Sequence, residues 1–349
     1  MANILYGVNG EGAGHSTRAQ QVISHLVSLG HRVHVASFDR GLQNLEKHFD
    51  VTEIFGFRFA YVNNRVRYQR TIARNLITIP QAAKSLARLQ KLVDEWDIDL
   101  VITDFEPLAC HVAHRKHLPL ISIDNQHCLT NAIVSYPKRW RRDAAAAKLV
   151  TRLMTPHANA YLVISFFTAP IRKRNTFLFP PLLRQEILDA VPTEGDHVLV
   201  YVTSPAPVLA RLLRSVRGRF VAYGFGREGN SEEGNVLYKK PSLDGFFRDL
   251  VSARAVIANS GFSLVTEALH LGKPYLAIPV SHQFEQIFNA YWLEKSGYGA
   301  SWQELSKERV EAFLYNLPQY KEALAKYPRP GNQALLEKLD TLVAAYTSA

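Results

Sequence analysis

The sequence predicts an α/β protein made of two Rossmann-like, doubly wound domains facing a central cleft. Three observations lead there. The 349 residues are about two domains' worth of chain. Short apolar strand segments alternate with helix-period segments through both halves. The pattern breaks once, across residues 177–196, and restarts with a strongly apolar strand. Open sheets of this kind bind ligands at the carboxyl ends of their strands.

In the first half, Ile4 to Val8 reads as a strand, Ser16 to Leu29 as a helix stopped by Gly30, and His31 to Ser37 as a second strand. Gly41 to His48 and Ile79 to Trp96 have helical spacing. Leu100 to Thr103 is a strand, Cys110 to Lys116 a helix, and Pro119 to Ile123 a strand. Asn131 to Thr155 is mostly helical, and Tyr161 to Ser165 is the last strand of this domain. Phe177 to Arg184, holding Pro180 and Pro181, is a crossover. The second domain opens with the strand His197 to Val202. A helix near Pro207 to Leu213, the strand Phe220 to Tyr223 and a helix near Leu243 to Val251 follow. The expected division is 1–176, a linker at 177–196, 197–330, and a last helix in 331–349 with apolar residues at Leu335, Leu336, Leu339, Leu342 and Val343.

A hydrophobic content of 47% fills two cores, and no stretch approaches the roughly 20 apolar residues of a membrane span. The chain opens on a strand rather than a secretory signal. Cys110 and Cys128 make no disulfide framework and lack metal-ligand spacing. A cytoplasmic chain with reduced thiols is the expectation. The net charge of +10 is partly clustered: Arg65, Arg67, Arg70 and Arg74 among Tyr61, Tyr68, Leu76 and Ile77; Lys138 to Arg142 around Trp140; and Arg211, Arg214, Arg217 and Arg219. Basic residues mixed with aromatics fit peripheral contact with an anionic membrane; a solvated basic surface fits equally. Nucleic acid comes third, because no recognition signature for it is present.

The most informative run begins at the buried strand Ala255 to Ala258, turns at Ser260-Gly261 and continues as a helix from Phe262 to Leu271, closed by Gly272 and Pro274. A strand that feeds a small-residue turn and then a helix aims backbone N–H groups, here those around Phe262 and Ser263, and a positive dipole end at one point. That suits a diphosphate. Glu267 lies on the second helical turn, where a carboxylate can accept from ribose hydroxyls. The strand Tyr275 to Pro279 leads to Glu285, Gln286 and Asn289, at the same sheet edge, where a sugar can lie.

This run resembles the nucleotide-sugar half of the GT-B glycosyltransferases, in particular the bacterial lipid I N-acetylglucosaminyltransferases (family 28) and the UDP-glycosyltransferases of natural-product chemistry (family 1). The resemblance implies diphosphate binding at Ser260 and Gly261, ribose binding at Glu267, and donor-sugar contacts from Glu285, Gln286 and Asn289. It also implies that the last helix crosses back to pack on the N-terminal domain.

Between the first strand and helix lies Asn9-Gly10-Glu11-Gly12-Ala13-Gly14-His15, where glycines permit close approach to a ligand and Ser16 or Thr17 can cap the helix. The spacing departs from the dinucleotide fingerprint, although Asp39 after the second strand keeps a cofactor-binding Rossmann domain as an alternative. The loop is similar to the GT-B loop at this place, which implies that His15 is the general base; Gly12 is a candidate acceptor contact and Gly14 a candidate donor contact. An imidazole suits removal of a proton from an attacking hydroxyl. Asp104, closing its strand at the same edge, can orient it or cap the next helix; Glu106 is the rival base. Asn125 and His127, in Asp124-Asn125-Gln126-His127, are candidate acceptor contacts or a plain polar loop. His111, His114 and His117 read as a surface helix.

In the second half, Thr203-Ser204-Pro205 places hydroxyls after the first strand, with Ser204 a candidate phosphate donor. Leu243 matches by position the residue whose backbone reads uracil in the lipid I enzymes, with Phe246 beside it; for their side chains, core packing is the alternative. Asp97-Ile98-Asp99 lies at the end of its strand opposite the ligand edge and reads as a polar turn, so no metal is expected. The functional expectation is an inverting, metal-independent glycosyltransferase that takes UDP-sugar as substrate, needs no cofactor and acts on an acceptor hydroxyl, with a lipid-linked or envelope saccharide as the candidate acceptor. Its alternatives are a UDP-sugar 2-epimerase of the same fold and a non-catalytic sugar-nucleotide-binding protein.

Overall fold

The computed structural model describes residues 1–56, 61–62, 65–66, 79–204 and 206–347. Of the stretch from Tyr61 to Ile77 only the backbone pair β4 (Tyr61–Val62) and β5 (Arg65–Val66) is included, so its basic and aromatic side chains lie outside the described residues, as does Pro205.

The first unit spans residues 1–62, 66–184 and 330–349. Its strands are β1 (Asn3–Val8), β2 (Arg32–Ser37), β3 (Val51–Glu53), β6 (Leu100–Asp104), β7 (Leu120–Asp124), β8 (Ala160–Ile164) and β9 (Thr176–Phe179). They form one sheet in the order β3-β2-β1-β6-β7-β8-β9, parallel throughout. The central strands read as continuous apolar runs because helices cover both faces; every residue of β6, β7 and β8 is buried. The helices are α1 (Ala13–Ser28), α2 (Asp39–Leu45), α3 (Ile79–Glu95), α4 (Pro107–Arg115), α5 (Cys128–Asn131) and α6 (Arg141–Met154). Strand order reverses between β1 and β6. Their carboxyl ends are therefore a topological switch point, the place where such sheets leave a crevice.

The second unit holds residues 185–329, with 63–65. Its sheet runs β12-β13-β11-β10-β14-β15-β16, with β10 (His197–Tyr201), β11 (Arg219–Tyr223), β12 (Ser231–Glu233), β13 (Val236–Tyr238), β14 (Ala255–Ala258), β15 (Tyr275–Ala277) and β16 (Gly299–Ser301). Only the β12–β13 pair is antiparallel. Helices α7 (Gln185–Leu188), α8 (Pro207–Ser215), α9 (Leu243–Ser252), α10 (Phe262–His270), α11 (Phe284–Lys295), α12 (Lys307–Tyr315) and α13 (Leu317–Ala325) accompany it. The switch point lies between β10 and β14. The final helix, α14 (Gln333–Thr347), belongs to the first unit. It buries Leu335, Leu339, Leu342 and Val343, and Asp340 Oδ1 lies 2.8 Å from His25 Nε2.

Several elements differ from the sequence reading. Helix α1 starts at Ala13 with Gly12 as its N-cap, so Ser16 and Thr17 do not cap it; both hydroxyls donate back to Ala13 O at 2.9 Å. Tyr161 to Ser165 is not the last strand of its sheet. Residues 176–179, read as the start of a crossover, pair in parallel with β8, and the first unit continues to Arg184. Thr-Phe-Leu-Phe, of which only Thr176 is buried, is an edge strand, and Pro180 ends it. The β12–β13 hairpin and the elements from Gly299 to Ala325 were not read from sequence; their strands are only three residues long. No helix of the described residues is long and apolar enough to cross a membrane.

Candidate active site

In the first unit the site is built on the first turn of α1. The open N-cap at Gly12 (φ 93°) turns the chain from β1 into the helix and brings His15 and Arg18, one helical turn apart, over the end of β6. Asp104, the last residue of β6, is fully buried. Arg18 Nε donates to its Oδ2 at 2.6 Å and Arg18 Nη2 to Oδ1 at 2.5 Å. His15 Nδ1 is 2.7 Å from the same Oδ1 and 2.8 Å from Arg18 Nη2. Because Arg18 is always protonated and Asp104 is its counter-ion, Nδ1 carries the proton and donates to Oδ1. The short approach of Nη2 to Nδ1 is then a contact between two donors sharing one acceptor. Arg18 also donates from Nη1 to Asn125 Oδ1 at 2.9 Å, fixing the fork's plane.

This arrangement solves an energetic problem. A buried carboxylate without a partner is strongly disfavoured, and here a bidentate guanidinium neutralises it. The imidazole is oriented by an ion pair that is already satisfied. His15 keeps 13% of its side chain exposed, and its Nε2 has no partner among the described residues. The edge that stays accessible is therefore the edge that bears a lone pair.

The backbone after β6 is held in a costly shape. Phe105 has φ 57°, a left-handed conformation worth roughly 1–3 kcal/mol of strain for a bulky residue. Asn9 compensates, its N–H donating to Asp104 O and its Nδ2 to Phe105 O, each at 3.0 Å. Phe105 stacks beside His15, ring centroids 6.4 Å apart. Glu106 serves a different end. It is the N-cap of α4, accepting from Leu108 N–H at 2.9 Å and Ala109 N–H at 2.7 Å. Burial raises its carboxyl to about 7 against these two donors, which pull it down. Glu106, not Asp104, caps this helix, and with both oxygens engaged it is badly placed as the rival base.

Asn125 joins the His15–Asp104 group through Arg18. His127 does not join it. It is 2% exposed, its Nδ1 pairs with Asp124 Oδ2 at 2.7 Å, and its ring packs on Tyr161 at 4.6 Å. Gly14 sits beside His15 on α1. The Asp97–Asp99 turn is structural, since Asp97 O and Asp99 Oδ2 both accept from Asn3. His111 and His114 lie on the exposed side of α4.

In the second unit the turn Asn259-Ser260-Gly261 is anchored from several directions. Tyr275 Oη donates to Asn259 O at 2.6 Å, and Asn259 Nδ2 to Ile278 O at 2.9 Å. Asn259 Oδ1 accepts from both the N–H and the hydroxyl of Thr203, tying in the loop that carries Ser204. Ser260 Oγ donates to Gln286 O at 2.9 Å, Asn289 Nδ2 to Ser260 O at 3.0 Å, and Val280 N–H to Gln286 Oε1 at 3.0 Å. Ser260, Gln286 and Asn289 thus spend these groups on holding the turn. Gln286 Nε2 has no protein partner among the described residues.

Gly261 is the exception to this crowding. As N-cap of α10 it has φ −64° and ψ 140°, a backbone any residue adopts, and it provides no side-chain cap. A Cβ placed on it would meet nothing within 4 Å. Neither strain nor packing requires glycine there, whereas Gly224, at φ 85°, would drive a Cβ to 1.8 Å from Val202 O. The space over Gly261 at the start of α10 is therefore open and no side chain caps the helix, a geometry compatible with an anion. Glu267 lies on the next turn and is 8% exposed; Glu285 is half-buried at the start of α11. Leu243 departs from the core alternative: it is 82% exposed at the start of α9. Phe246 packs edge-on against Tyr201 and Tyr223. Sequence reasoning missed Arg18, whose signal was its spacing of three from His15 on one helix face, and Asn259 and Tyr275, which look like ordinary strand-end residues.

The family model described as Glycosyl transferase family 1 matches residues 2–318. An uncharacterized glycosyltransferase of Methanosarcina acetivorans is 23% identical over 323 residues, covering 85% of this chain and 84% of its own. Among solved structures, the glycotransferase of kitacinnamycin superposes with a TM-score of 0.70 at 17% identity, covering 97% of this chain and 98% of its own. MurG of Acinetobacter baumannii does so at 0.63 and 14%, covering 98% and 100%. The two doubly wound units are those of the GT-B fold, and the chain is a glycosyltransferase that belongs to glycosyl transferase family 1.

Proposed function

We propose that this glycosyltransferase moves a hexose or N-acetylhexosamine from a UDP-sugar to an acceptor hydroxyl, with inversion at the anomeric carbon and without a metal ion. The observation that carries the reading is the accessible Nε2 of an imidazole whose Nδ1 is fixed on the buried Asp104–Arg18 pair. His15 Nε2 takes the proton as the acceptor oxygen attacks the anomeric carbon. The bond from that carbon to the diphosphate oxygen breaks on the opposite face, and UDP leaves with the electron pair. The imidazolium formed is stabilised by Asp104, so proton transfer is worth about 10²–10⁴ in rate.

The uncapped start of α10 supports the donor half of the reading. Backbone N–H groups and the helix dipole stabilise the charge that develops on the leaving diphosphate, with Ser204, Ser260, Gly261 and Ser263 around it. Glu267 takes the ribose, Leu243 and Phe246 the base, Glu285, Gln286 and Asn289 the sugar. The exposed basic residues Lys138, Arg139, Arg141 and Arg142 favour an acceptor carried on an anionic membrane, at its cytoplasmic face.

Calorimetric titration with UDP, GDP, dTDP, ADP and NAD tests the donor class, followed by mass spectrometry of UDP-sugar incubations with candidate lipid-linked acceptors. Selective UDP binding and UDP release coupled to a glycosylated product are the expected results. Binding of NAD with no nucleoside diphosphate, or epimerisation of the UDP-sugar without an acceptor, overturns the proposal.

A further inference from the structure

The first unit holds a cavity whose lining does not include His15, Arg18 or Asp104. It has a volume of ≈ 400 Å³, within the range of small-molecule sites. His127, Arg152, Thr155, Tyr161, Arg172 and Lys173 line it. Tyr161 lies at the start of β8, Thr155 follows α6 in the loop that leads to it, and Arg172 and Lys173 just precede β9. Because these strands are parallel to β1 and β6, that side of the cavity is at the amino-terminal end of the sheet, and His127 reaches it from the loop that follows β7.

Its chemistry is one-sided. Arg152, Arg172 and Lys173 are exposed, and no carboxylate pairs with any of them among the described residues. Arg172 Nη2 is anchored on Thr130 O at 2.5 Å, and Lys173 Nζ on Tyr161 Oη at 3.0 Å. Tyr161 Oη accepts from Lys173 and from Ala158 N–H at 3.0 Å, which leaves its own proton to donate. Two buried groups lie at the inner end. Thr155 Oγ1 has no oxygen or nitrogen partner among the described residues and lies beside the buried Cys110 thiol. His127 Nδ1 is engaged by Asp124, which its neighbours hold ionised, leaving Nε2 unpaired in a ring 2% exposed. Burial pushes the Asp124 carboxyl up, but His127 and the Ser122 hydroxyl outweigh it and bring the group to about 2.

Three cations without a carboxylate counter-ion among the described residues, beside a buried imidazole, suit a dianion with several acceptor oxygens better than a single carboxylate. Exposed aliphatic residues flank the same segments: Leu149 and Leu153 beside Arg152 on α6, Ile171 next to Arg172, and Ile133, whose N–H bonds Pro170 O. We infer that this cavity binds the phosphate group of a phosphate ester, Arg152, Arg172 and Lys173 contacting its oxygens and His127 closing the inner end. The shared chemistry belongs to a phospholipid headgroup and to a soluble sugar or polyol phosphate alike.

The test is binding, so it stands apart from glycosyl transfer. Glycerol 3-phosphate is titrated into wild type and into the Arg152→Gln and Lys173→Gln variants, with the imidazole resonances of His127 followed by NMR and assigned from His127→Gln. Both exchanged residues are exposed, and thermal melts check that the variants remain folded. We expect saturable binding that moves the His127 resonances and weakens about tenfold or more in each variant, as charge-assisted hydrogen bonds to phosphate require. Binding that leaves His127 unmoved, binding indifferent to both variants, or no saturable binding overturns the inference. Sedimentation with phosphatidylglycerol vesicles separates the sources. Vesicle binding competed by glycerol 3-phosphate supports the site with a lipid headgroup as its ligand, and glycerol 3-phosphate binding without vesicle binding supports it with a soluble ester.

Discussion

Arg18 clasps Asp104 through two hydrogen bonds of 2.6 and 2.5 Å, and His15 meets the carboxylate at the oxygen that one of them already occupies. The guanidinium sets the position and charge of the carboxylate, and the carboxylate sets the tautomer of the imidazole. Arg18 is therefore a positioning residue, one step removed from the proton that moves.

Replacing Arg18 with Met strands a fully buried carboxylate. Removing one partner of such a pair costs about 3–5 kcal/mol, so urea unfolding of Arg18→Met is expected to show a loss of that size. The double variant Arg18→Met with Asp104→Leu recovers much of the stability, since no charge is left unpaired, yet it does not recover transfer. Equal destabilisation in single and double variants would mean that the stranded charge of Asp104 is not the source of the loss.

Asp104→Asn separates orientation from charge. The amide can present an N–H to His15 Nδ1, which favours the opposite tautomer and puts the proton on Nε2. We expect kcat to drop about 10²-fold or more with UDP affinity unchanged within about twofold. Calorimetry and initial rates on one preparation read both; a fall in UDP affinity that matches the fall in kcat would contradict the assignment.

Gly261 and Gly224 form a matched pair. Gly261→Ala adds a methyl group to open space on an unstrained backbone, so thermal melts are expected to stay near wild type while UDP binding weakens. Gly224→Ala forces a left-handed residue against Val202 O and is expected to destabilise the fold. If Gly261→Ala leaves UDP binding intact, the space over α10 is not where the diphosphate lies.

Glu106 predicts a pH signature. An unfolded Glu releases its proton near about 4.3, whereas the folded chain holds it to about 7 because the group is buried. Between those values the folded state binds the extra proton, so this group's contribution is fully present below about 4.3 and is lost as pH rises through about 7, on the order of 3 kcal/mol in total. The difference in unfolding free energy between wild type and Glu106→Gln is expected to shrink in wild type's disfavour across that window. A flat difference would mean that Glu106 is ionised as it caps α4.

The double α/β architecture was legible because parallel strands buried on both faces leave unbroken apolar runs and their helices an apolar stripe. The turn at Ser260-Gly261 and the loop before His15 were legible because small residues at strand ends stand out against such runs. What stayed hidden depends on contacts distant in sequence. Nothing local to Arg18 signals Asp104, 86 residues away, and Glu106 reads the same whether it caps a helix or faces a substrate. His127 looked like its neighbour Asn125, yet α5 turns the chain back over the sheet and carries the imidazole to Tyr161. Edge strand β9 was obscured by the Pro-Pro that follows it.

The most direct measurement of the central claim is a paired titration of UDP with wild type, His15→Ala and Gly261→Val, together with UDP-sugar turnover of each. The account predicts that His15→Ala binds UDP within about twofold of wild type while turnover falls about 10²-fold or more, and that Gly261→Val loses UDP binding about tenfold or more with its fold intact. Comparable loss of UDP affinity in both variants, with turnover spared in His15→Ala, would contradict it.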